Sequence, residues 1–559
     1  MTKEQDKLLL QRNRDGKIFN FRPVTFCAVF LVLGVLFGYL IFVKGESPFW
    51  ALFFLPLSFL FVFLSTPFMR GVKWIGILCL FATVGVFSFQ GVLSRYVDKT
   101  DYDGTYTVSG VVVEKGGRQD GFTVVLEDLS IAGTPEKGKM VAYLPAAFEE
   151  EIKLSHEIVL YGYVQTDVKL EGEYGFRGGD IAEDIAYRIF SVQSVQSIGS
   201  TFRPTLWIRQ RLSDALYAGM DSSVASFCAG LLLGDDTRMG RTLLTNVRNG
   251  GVAHLFAVSG LHIGVLFGVC AWITSKKFFL RKPKIYSFLF TALILLFYGG
   301  VCGYSSSVLR AVVTCLSVYA YTLLGVKRDV LEGLSFAALL LLLLFPTTLF
   351  DAGFLLSFSA CYGIVLLSRP LKKALNTVCD KVSSVWRKKV LKQEQAVQKQ
   401  DMFKGDTPPK SIPTRYKEKV INFLSVTLSA WLATTPVSLA FFGYMSAWGL
   451  LLNCIFVPLL SAFFVALLIV GVLAALLPLV CAGVVLYPLN ATFSLVVLFF
   501  EICYFGQTAL LLSAGTVVCY YLALLFCTDK FSLSTGWKRL AVATASMACF
   551  GCLLAVNFL

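Results

Sequence analysis

The sequence predicts a polytopic α-helical membrane protein that carries a small all-β domain. Of its 559 residues, 56% are hydrophobic and only 15% are charged, whereas soluble domains carry about 25% charged residues. The mean hydropathy is +0.69. A soluble fold of this size could not shield so much apolar surface, so the composition excludes a soluble globule. It also excludes disordered, collagen-like and disulfide-stapled proteins.

The net charge of +14 is unevenly distributed along the chain. Residues 369–419 carry a net charge of +9 and residues 1–22 carry +3, whereas residues 101–200 carry −9. Basic segments beside apolar runs are typical of cytoplasmic loops, so this pattern indicates membrane orientation before it indicates a nucleic-acid partner. We therefore expect a basic cytoplasmic N-terminus, residues 1–23, and a basic cytoplasmic loop, residues 369–419.

Three apolar runs at the start of the chain predict three transmembrane helices within residues 24–92. Each run is long enough to cross a bilayer at about 1.5 Å of rise per residue. The runs cover 24–43, 49–66 and 74–92. No small-residue cleavage site follows the first run, so we expect it to be retained. Three spans from an inside N-terminus place residue 93 on the outer side.

Residues 101–200 predict a small all-β domain on the outer side of the membrane. Short β-rich runs alternate with glycine turns, a pattern that fits either a five-stranded barrel or a sandwich. The chain has 15 cysteines, but none lies between Cys79 and Cys228, so no disulfide can form inside this domain. The next segment, 203–222, predicts an amphipathic helix at the membrane interface.

Residues 223–559 predict a second and larger membrane domain. Its basic loops fall on the inner side if the first full span runs from outside to inside. A short apolar segment, 223–234, precedes that span and is a candidate re-entrant or half-helix. The candidate spans are 253–274, 285–303, 306–325, 331–346, 348–368, 420–443, 447–470, 480–506, 508–527 and 540–559.

A histidine-bearing run is the densest polar group in the apolar part of the sequence. It reads His254-Leu-Phe-Ala-Val-Ser259-Gly260-Leu-His262. On one helix, His254, His262 and Ser259 could point into one cavity, and Gly260 would allow close backbone approach. The pattern fits buried histidines that brace a bundle, a pore lining, or hydrolysis by Ser259 with a histidine. No HExxH motif or third ligand is nearby, so we expect no metal and no cofactor.

Arg310 is the second candidate functional residue, because an arginine inside an apolar helix must pair, face water or snorkel. It follows the serine run Ser305, Ser306 and Ser307 by about one helical turn. Its possible counter-charges are Asp351, Glu332 and Glu501. A charged group at 235–241, just before the histidine run, is more typical of a solvated loop.

The histidine run resembles the most recognisable stretch of ComEC-type competence proteins, the bacterial DNA-uptake channels. Other matching motifs stand in that family's order over residues 223–510. They are Gly230-Leu-Leu-Leu-Gly-Asp235, Ser307-Val-Leu-Arg310-Ala311, Asp351-Ala-Gly-Phe-Leu-Leu-Ser357-Phe358 and Thr435-Pro436…Asn453…Pro458. The resemblance implies an OB-fold-like domain at 101–200, inserted after the third transmembrane helix and extracytoplasmic.

The resemblance also implies a function, namely transport of single-stranded DNA across the bacterial cytoplasmic membrane during natural transformation. Its implied partners are single-stranded DNA, the lipid bilayer, an extracytoplasmic DNA receptor, a cytoplasmic ATP-driven helicase or translocase, and a separate nuclease. The channel would lie in the domain 223–559. Its path would be lined by His254, Ser259, Gly260, His262, Arg310, Ser305, Ser306, Ser307, Asp351 and Ser357.

The resemblance is to a form without the C-terminal metallo-β-lactamase-like domain that this family often carries. The sequence contains three histidines and no HxHxDH motif. We therefore expect a channel without enzymatic activity of its own. The alternatives that stay open are an intramembrane hydrolase that uses Ser259 with His254 or His262, and a transporter of another polar polymer or a small solute.

Overall fold

The computed structural model shows a helical protein with one small sheet domain. Apart from single residues at 181, 520, 521 and 524, the structure describes residues 23–42, 70–97, 101–118, 121–148, 152–166, 184–200, 202–236, 238–256, 260–276, 284–304, 306–323, 330–398, 414–446, 448–503 and 507–509. Within these ranges, seven helices are long and apolar enough to cross a membrane. The predicted runs 49–66 and 540–559 lie outside the described residues.

Two long apolar helices, α1 (Pro23–Phe42) and α2 (Arg70–Val97), precede the sheet and match the first and third predicted runs. Their backbones approach closely at glycines. A Cβ on Gly34 would lie 2.0 Å from the Ala82 carbonyl oxygen, and one on Gly85 would lie 2.5 Å from the Leu31 oxygen. Small residues allow this approach between membrane helices, so glycine is required at these positions.

The sheet domain has six strands in the order β1-β5-β6-β4-β2-β3. Strand β1 also pairs with β2, so β1, β2, β4, β6 and β5 form a closed circuit. The β4–β6 pairing is parallel and the others are antiparallel. Alternate residues such as Phe122, Val124 and Leu126 are buried inside. The strands are Asp103–Arg118, Gly121–Ile131, Thr134–Glu136, Lys139–Leu144, His156–Thr166 and Ile185–Ser200.

Three helices connect the sheet to the histidine run: α3 (Pro204–Gly219), α4 (Ser222–Leu233) and α5 (Arg241–Asn249). The predicted amphipathic helix corresponds to α3, and its placement at the membrane interface stays a prediction. One face of α3 is buried and includes Leu212 and Leu216, which belong to the large apolar core of the helical region. Helix α3 is therefore packed against that core along one side.

The other described helices build the remainder of the helical region. Five of those that follow α5 contribute to the same core as α3, through residues such as Phe464 and Phe493. Three of the apolar helices are shorter than 18 residues, namely Ser222–Leu233, Gly260–Thr274 and Val330–Leu344. The helices are α6 (Gly260–Thr274), α7 (Lys284–Val301), α8 (Ser306–Leu323), α9 (Val330–Leu344), α10 (Ala352–Gln398), α11 (Thr414–Phe442), α12 (Gly449–Leu476) and α13 (Leu479–Ile502).

The basic segment 369–419 is helical at both ends, and its place as a cytoplasmic loop between two spans stays a prediction. Helix α10 continues to Gln398, and α11 begins at Thr414. Lysine, glutamine and leucine are good helix formers, and no glycine or proline lies between 371 and 398. Lys417 and Asp380 form an ion pair, with Nζ 2.5 Å from Oδ1.

The chain divides into two compact units. One includes Phe358–Met445, where a Cβ on Gly363 would lie 2.9 Å from the Ser429 carbonyl oxygen, so α10 and α11 touch there. The other includes Arg22–Ser357 and Ser446–Gln507, and therefore holds the sheet and most of the core described above. A short strand, Gln507–Ala509, lies at the start of the predicted span 508–527, most of which is outside the described residues.

Candidate functional site

The histidine run does not form one continuous helix, so that prediction is wrong. His254 lies in a 3₁₀ turn, Ala253–Leu255, whereas α6 begins at Gly260. The turn follows Gly251, whose φ of 72° is in the left-handed region that favours glycine. A Cβ at Gly251 would also lie 2.9 Å from the Ser446 Cβ. His254 and His262 therefore lie on different elements.

The two histidines have different environments. His262 is 1% exposed, and its ring centroid lies 4.6 Å from that of Phe464 on α12. His254 is exposed, although it is close enough to His262 to interact with it electrostatically. In this conformation His254 is accessible to a polar ligand, whereas His262 is packed in the core. Ser259 lies outside the described residues, so the structure does not place a serine nucleophile.

An ion pair between Arg310 and Asp351 is the main polar feature of the predicted site. Arg310 Nη1 donates a hydrogen bond to Asp351 Oδ2 over 2.8 Å. The Arg310 side chain is 4% exposed and that of Asp351 is 20% exposed. The structure thus brings together two of the predicted path residues and selects Asp351 from the three candidate counter-charges. Glu332 is buried on α9, and Glu501 is exposed at the end of α13.

The start of α10 is built around this ion pair. Asp351 Oδ1 and Oδ2 accept the backbone N–H groups of Gly353 and Phe354, each over 3.1 Å, so the carboxylate caps the helix. A Cβ on Gly353 would lie 2.7 Å from Arg310 Nη2. Glycine at 353 therefore leaves room for the guanidinium over the first turn of α10.

The structure also describes several of the other residues that were predicted to line the path. A Cβ on Gly260 would be 3.7 Å from the Ala311 Cβ, which places the start of α6 beside the residue that follows Arg310. Ser307 and Ser357 are half-buried. Ser306 begins α8, and Ser305 lies outside the described residues.

Sequence reasoning missed an open cleft of about 380 Å³ beside α5. Arg241, Thr242 and Thr245 lie on its exposed helix face, and Glu501 lines the other side. Asn246 is buried at its base and donates a hydrogen bond to the Phe500 carbonyl oxygen over 2.7 Å. The spacing of these polar residues on a helix was the signal that could have located the cleft.

The outer face of the sheet carries aromatic side chains. Tyr161 and Tyr163 are exposed on β5. Tyr163 is paired with Phe190 on β6, and the Phe190 ring stacks on Tyr143 with centroids 4.9 Å apart and planes 8° apart. Arg188 donates a hydrogen bond to the Tyr143 hydroxyl. This face can offer flat apolar contacts to a planar ligand.

An ion-pair group connects the sheet to α3. Arg203, just before α3, donates to Glu127 over 2.8 Å and to Asp128 over 2.6 Å, and Lys139 lies 3.0 Å from Glu127. Partial burial raises the pKa of Glu127, but hydrogen bonds from Arg203 and Lys139 outweigh it and hold the pKa below its ordinary value. The carboxylate is therefore ionised at neutral pH and holds the chain at the start of α3.

The apolar helices, the ion pair buried among them and the closed sheet define a multi-pass membrane protein with a polar site in its helical region. A family model for the competence proteins matches residues 231–552, which is more than half of the chain and includes the ion pair. The chain belongs to the competence protein family.

Two curated proteins illustrate the similarity. ComE operon protein 3 of Bacillus subtilis (strain 168) is 28% identical over 183 residues, which cover 33% of this chain and 23% of that protein. An uncharacterized MG316 homolog of Mycoplasma pneumoniae is 31% identical over 131 residues, which cover 22% of this chain and 33% of that protein. The matched region thus spans a third or less of either relative. No solved structure matches the chain.

Proposed function

We propose that this chain forms the passage through which one strand of DNA crosses the cytoplasmic membrane during natural transformation. The observation that carries the proposal is the Arg310–Asp351 ion pair, buried where α8 meets the start of α10 in a competence-family domain. Charged groups among apolar helices are costly and are retained mainly for function. A polyanion needs such groups along its path.

The geometry of the pair suits recognition of phosphate. A guanidinium binds carboxylate and phosphate through the same pair of parallel N–H groups, so a phosphodiester can replace the Asp351 carboxylate on Arg310. Asp351 would then pair with Arg310 while no strand is present. Because Asp351 is more exposed than Arg310, the exchange would begin on the Asp351 side.

Movement of the strand requires several weak contacts rather than one strong site. His254, Ser307 and Ser357 would supply neutral hydrogen-bonding groups beside Arg310. His262 and Arg310 are buried in the conformation described above, so the proposal requires their helices to part when a strand enters. Asp351, freed from Arg310, would still cap α10.

We infer that the sheet domain is an OB-type barrel and the extracytoplasmic receiver of the strand. The closed circuit of five strands, with a single parallel pairing, supports a barrel over a sandwich. Exposed Tyr161 and Tyr163 would stack on bases, which stabilises single strands without reading their sequence. A separate DNA receptor, a cytoplasmic motor and a separate nuclease complete the proposed assembly.

Import of labelled DNA tests the proposal. A deletion strain complemented with Arg310→Ala should lose import, whereas Arg310→Lys, which keeps the charge but not the bidentate geometry, should retain a part of it. Arg95→Ala, which removes an exposed arginine at the end of α2, is the control and should import normally. Immunoblots of membranes establish equal amounts of each variant. Normal import with Arg310→Ala would contradict the proposed path.

A further inference from the structure

The cleft beside α5 brings together two opposite charges that the proposed passage does not use. Arg241, at the start of α5, and Glu501, near the end of α13, both line this cleft. Both residues are exposed, and among the residues that the structure describes no ion pair joins their side chains. A ligand in the cleft would therefore meet a cation and an anion at the same time.

Helix α5 is attached to the end of a helix that is long enough to span the membrane. The Asn246 side chain, which is 4% exposed, donates a hydrogen bond to the Phe500 carbonyl oxygen over 2.7 Å. Helix α13 has 24 residues, which correspond to about 36 Å at 1.5 Å per residue, and the hydrocarbon core is about 30 Å thick. We therefore expect the last turn of α13, and the cleft beside it, at the level of the lipid headgroups.

The sequence of α5 suits such a position, because its apolar and polar residues lie on different faces. Leu243 and Val247 are buried, whereas Arg241, Thr242 and Thr245 are exposed. A helix with this division of residues can lie along a membrane surface with its polar face toward the headgroups. The polar face of α5 is the face that lines the cleft.

An apolar stripe on α13 leads away from the cleft. Leu495, Leu498 and Ile502 are 71%, 50% and 72% exposed. Their spacing of three and four residues places them on one face of the helix. Ile502 also lines the cleft, so the stripe begins there and continues toward the middle of α13. A ligand with a polar head in the cleft could lay an apolar tail along this stripe.

The size and the polar groups of the cleft match one kind of headgroup. Its volume of about 380 Å³ lies within the range of about 300–1,000 Å³ that is typical of small-molecule sites. A guanidinium and two hydroxyls can donate hydrogen bonds to a phosphate, and a carboxylate can accept hydrogen bonds from an ammonium. Phosphoethanolamine carries both a phosphate and a primary ammonium, joined by a short linker.

We propose that this cleft binds the headgroup of phosphatidylethanolamine. Arg241, Thr242 and Thr245 hold its phosphate, Glu501 holds its ammonium, and an acyl chain follows the apolar stripe on α13. Phosphatidylcholine has no N–H group to donate to Glu501, and phosphatidylglycerol has no cation at all. The Glu501 carboxylate therefore selects phosphatidylethanolamine over both of these lipids.

Lipid binding to the purified full chain in dodecyl maltoside, an uncharged detergent without phosphate, tests the proposal. The probes are the three phospholipids, each with a fluorophore on one acyl chain and an unmodified headgroup. The wild type should bind phosphatidylethanolamine several-fold more tightly than the other two. Glu501→Gln should remove this preference, because an amide cannot form an ion pair with the ammonium. Arg241→Met should weaken the binding of all three lipids, because all of them contain the phosphate.

The matched controls are exposed charges outside the cleft. Arg248→Met lies on the same helix, where Arg248 pairs with Asp236, and Glu157→Gln lies on the sheet. Both variants should keep the lipid preference of the wild type. Glu501→Lys should reverse it and favour phosphatidylglycerol over phosphatidylethanolamine. A gain of binding of this kind cannot arise from a loss of fold, so this variant separates recognition of the headgroup from a structural effect.

Three results would overturn the proposal. The first is equal or tighter binding of phosphatidylcholine or phosphatidylglycerol by the wild type. The second is a preference for phosphatidylethanolamine that persists in Glu501→Gln. The third is soluble phosphoethanolamine that displaces the labelled lipid as well as unlabelled phosphatidylethanolamine does, because the ligand would then not be a lipid. The experiment uses no DNA, so its failure leaves the proposed passage standing.

Discussion

Asp351 has two functions in the described structure, because the same carboxylate caps α10 and pairs with Arg310. The two functions have different chemical requirements. A cap needs only an acceptor oxygen, which asparagine also supplies, whereas the ion pair needs a charge. Substitutions at this residue can therefore separate the stability of the helix start from the neutralisation of the arginine.

We expect Asp351→Asn to leave Arg310 without its counter-charge and to destabilise the protein by about 3–5 kcal/mol, the usual cost of breaking a buried pair. Asp351→Ala should cost about 1 kcal/mol more, because the cap is lost as well. Thermal unfolding of the purified variants gives the comparison. Equal stability of the two variants would show that the cap contributes nothing.

Glu114 predicts a pH dependence of stability in the sheet domain. Burial raises its pKa above the ordinary value, Asp235 and Asp236 raise it further, and Arg209 and Lys139 oppose them. Because the folded-state pKa is raised, the fold is favoured when Glu114 is protonated, and this contribution is lost as pH rises through that pKa.

Glu114→Gln should therefore match the wild type in acid and become relatively more stable as pH rises toward neutrality. Unfolding temperatures measured from pH 4 to pH 8 test this, with Glu157→Gln, at an exposed position of strand β5, as the control. A difference between wild type and Glu114→Gln that stays constant with pH would contradict the raised pKa.

At the scale of elements, the close approach of α1 and α2 makes glycine obligatory at some helical positions and dispensable at others. Gly34→Ala would drive a Cβ into the Ala82 carbonyl oxygen. Gly91 lies on α2 with no atom within 4 Å of such a Cβ. In a helix, alanine is favoured over glycine by about 0.5–1 kcal/mol.

We expect Gly91→Ala to be neutral or to stabilise the protein by up to about 1 kcal/mol. Gly34→Ala should destabilise it, because the gain in helix propensity cannot offset the overlap between the two backbones. Paired measurements of unfolding temperature in the same detergent decide the comparison. The outcome that contradicts close packing is an equal effect of the two substitutions.

The sequence predicted the elements whose signal is local. Apolar runs located the long helices, and alternation located strands such as β2 and β4. Strand β6 was missed because its second half, Ser191–Ser200, repeats Ser-Val-Gln, so its apolar residues recur at every third position rather than every second. The 3₁₀ turn at His254 was also missed, since it follows a left-handed turn at Gly251 that packs against Ser446.

The candidate site was predictable where charge stands out against an apolar background. Arg310 and Asp351 were both identified, because ions are rare in such segments. Their pairing depends on two elements 41 residues apart in the chain, which spacing alone could not decide. Arg241 was assigned to a solvated loop, since only the fold shows that Glu501 lines the same cleft.

For the whole molecule, the side of the membrane on which the sheet lies depends on how many spans precede it. Two described apolar helices, Val24–Phe42 and Gly76–Arg95, come before β1. Two spans alone would place the sheet on the same side as the N-terminus. If the run 49–66 is a third span, we expect the sheet on the side of the membrane opposite the N-terminus and the basic segment 369–419.

Labelling of cysteines in intact cells with a membrane-impermeant maleimide tests this count. Cys379, in the basic segment, and Cys481, at the start of α13, are exposed. By the count of spans, both face the cytoplasm and should react only after permeabilisation. In a Cys379→Ser, Cys481→Ser background, Ser194→Cys on the exposed part of β6 should react in intact cells. Labelling of Ser194→Cys and Cys379 under the same condition would place both segments on one side. The segment 49–66 would then not cross the bilayer, and the sheet could not receive DNA from outside.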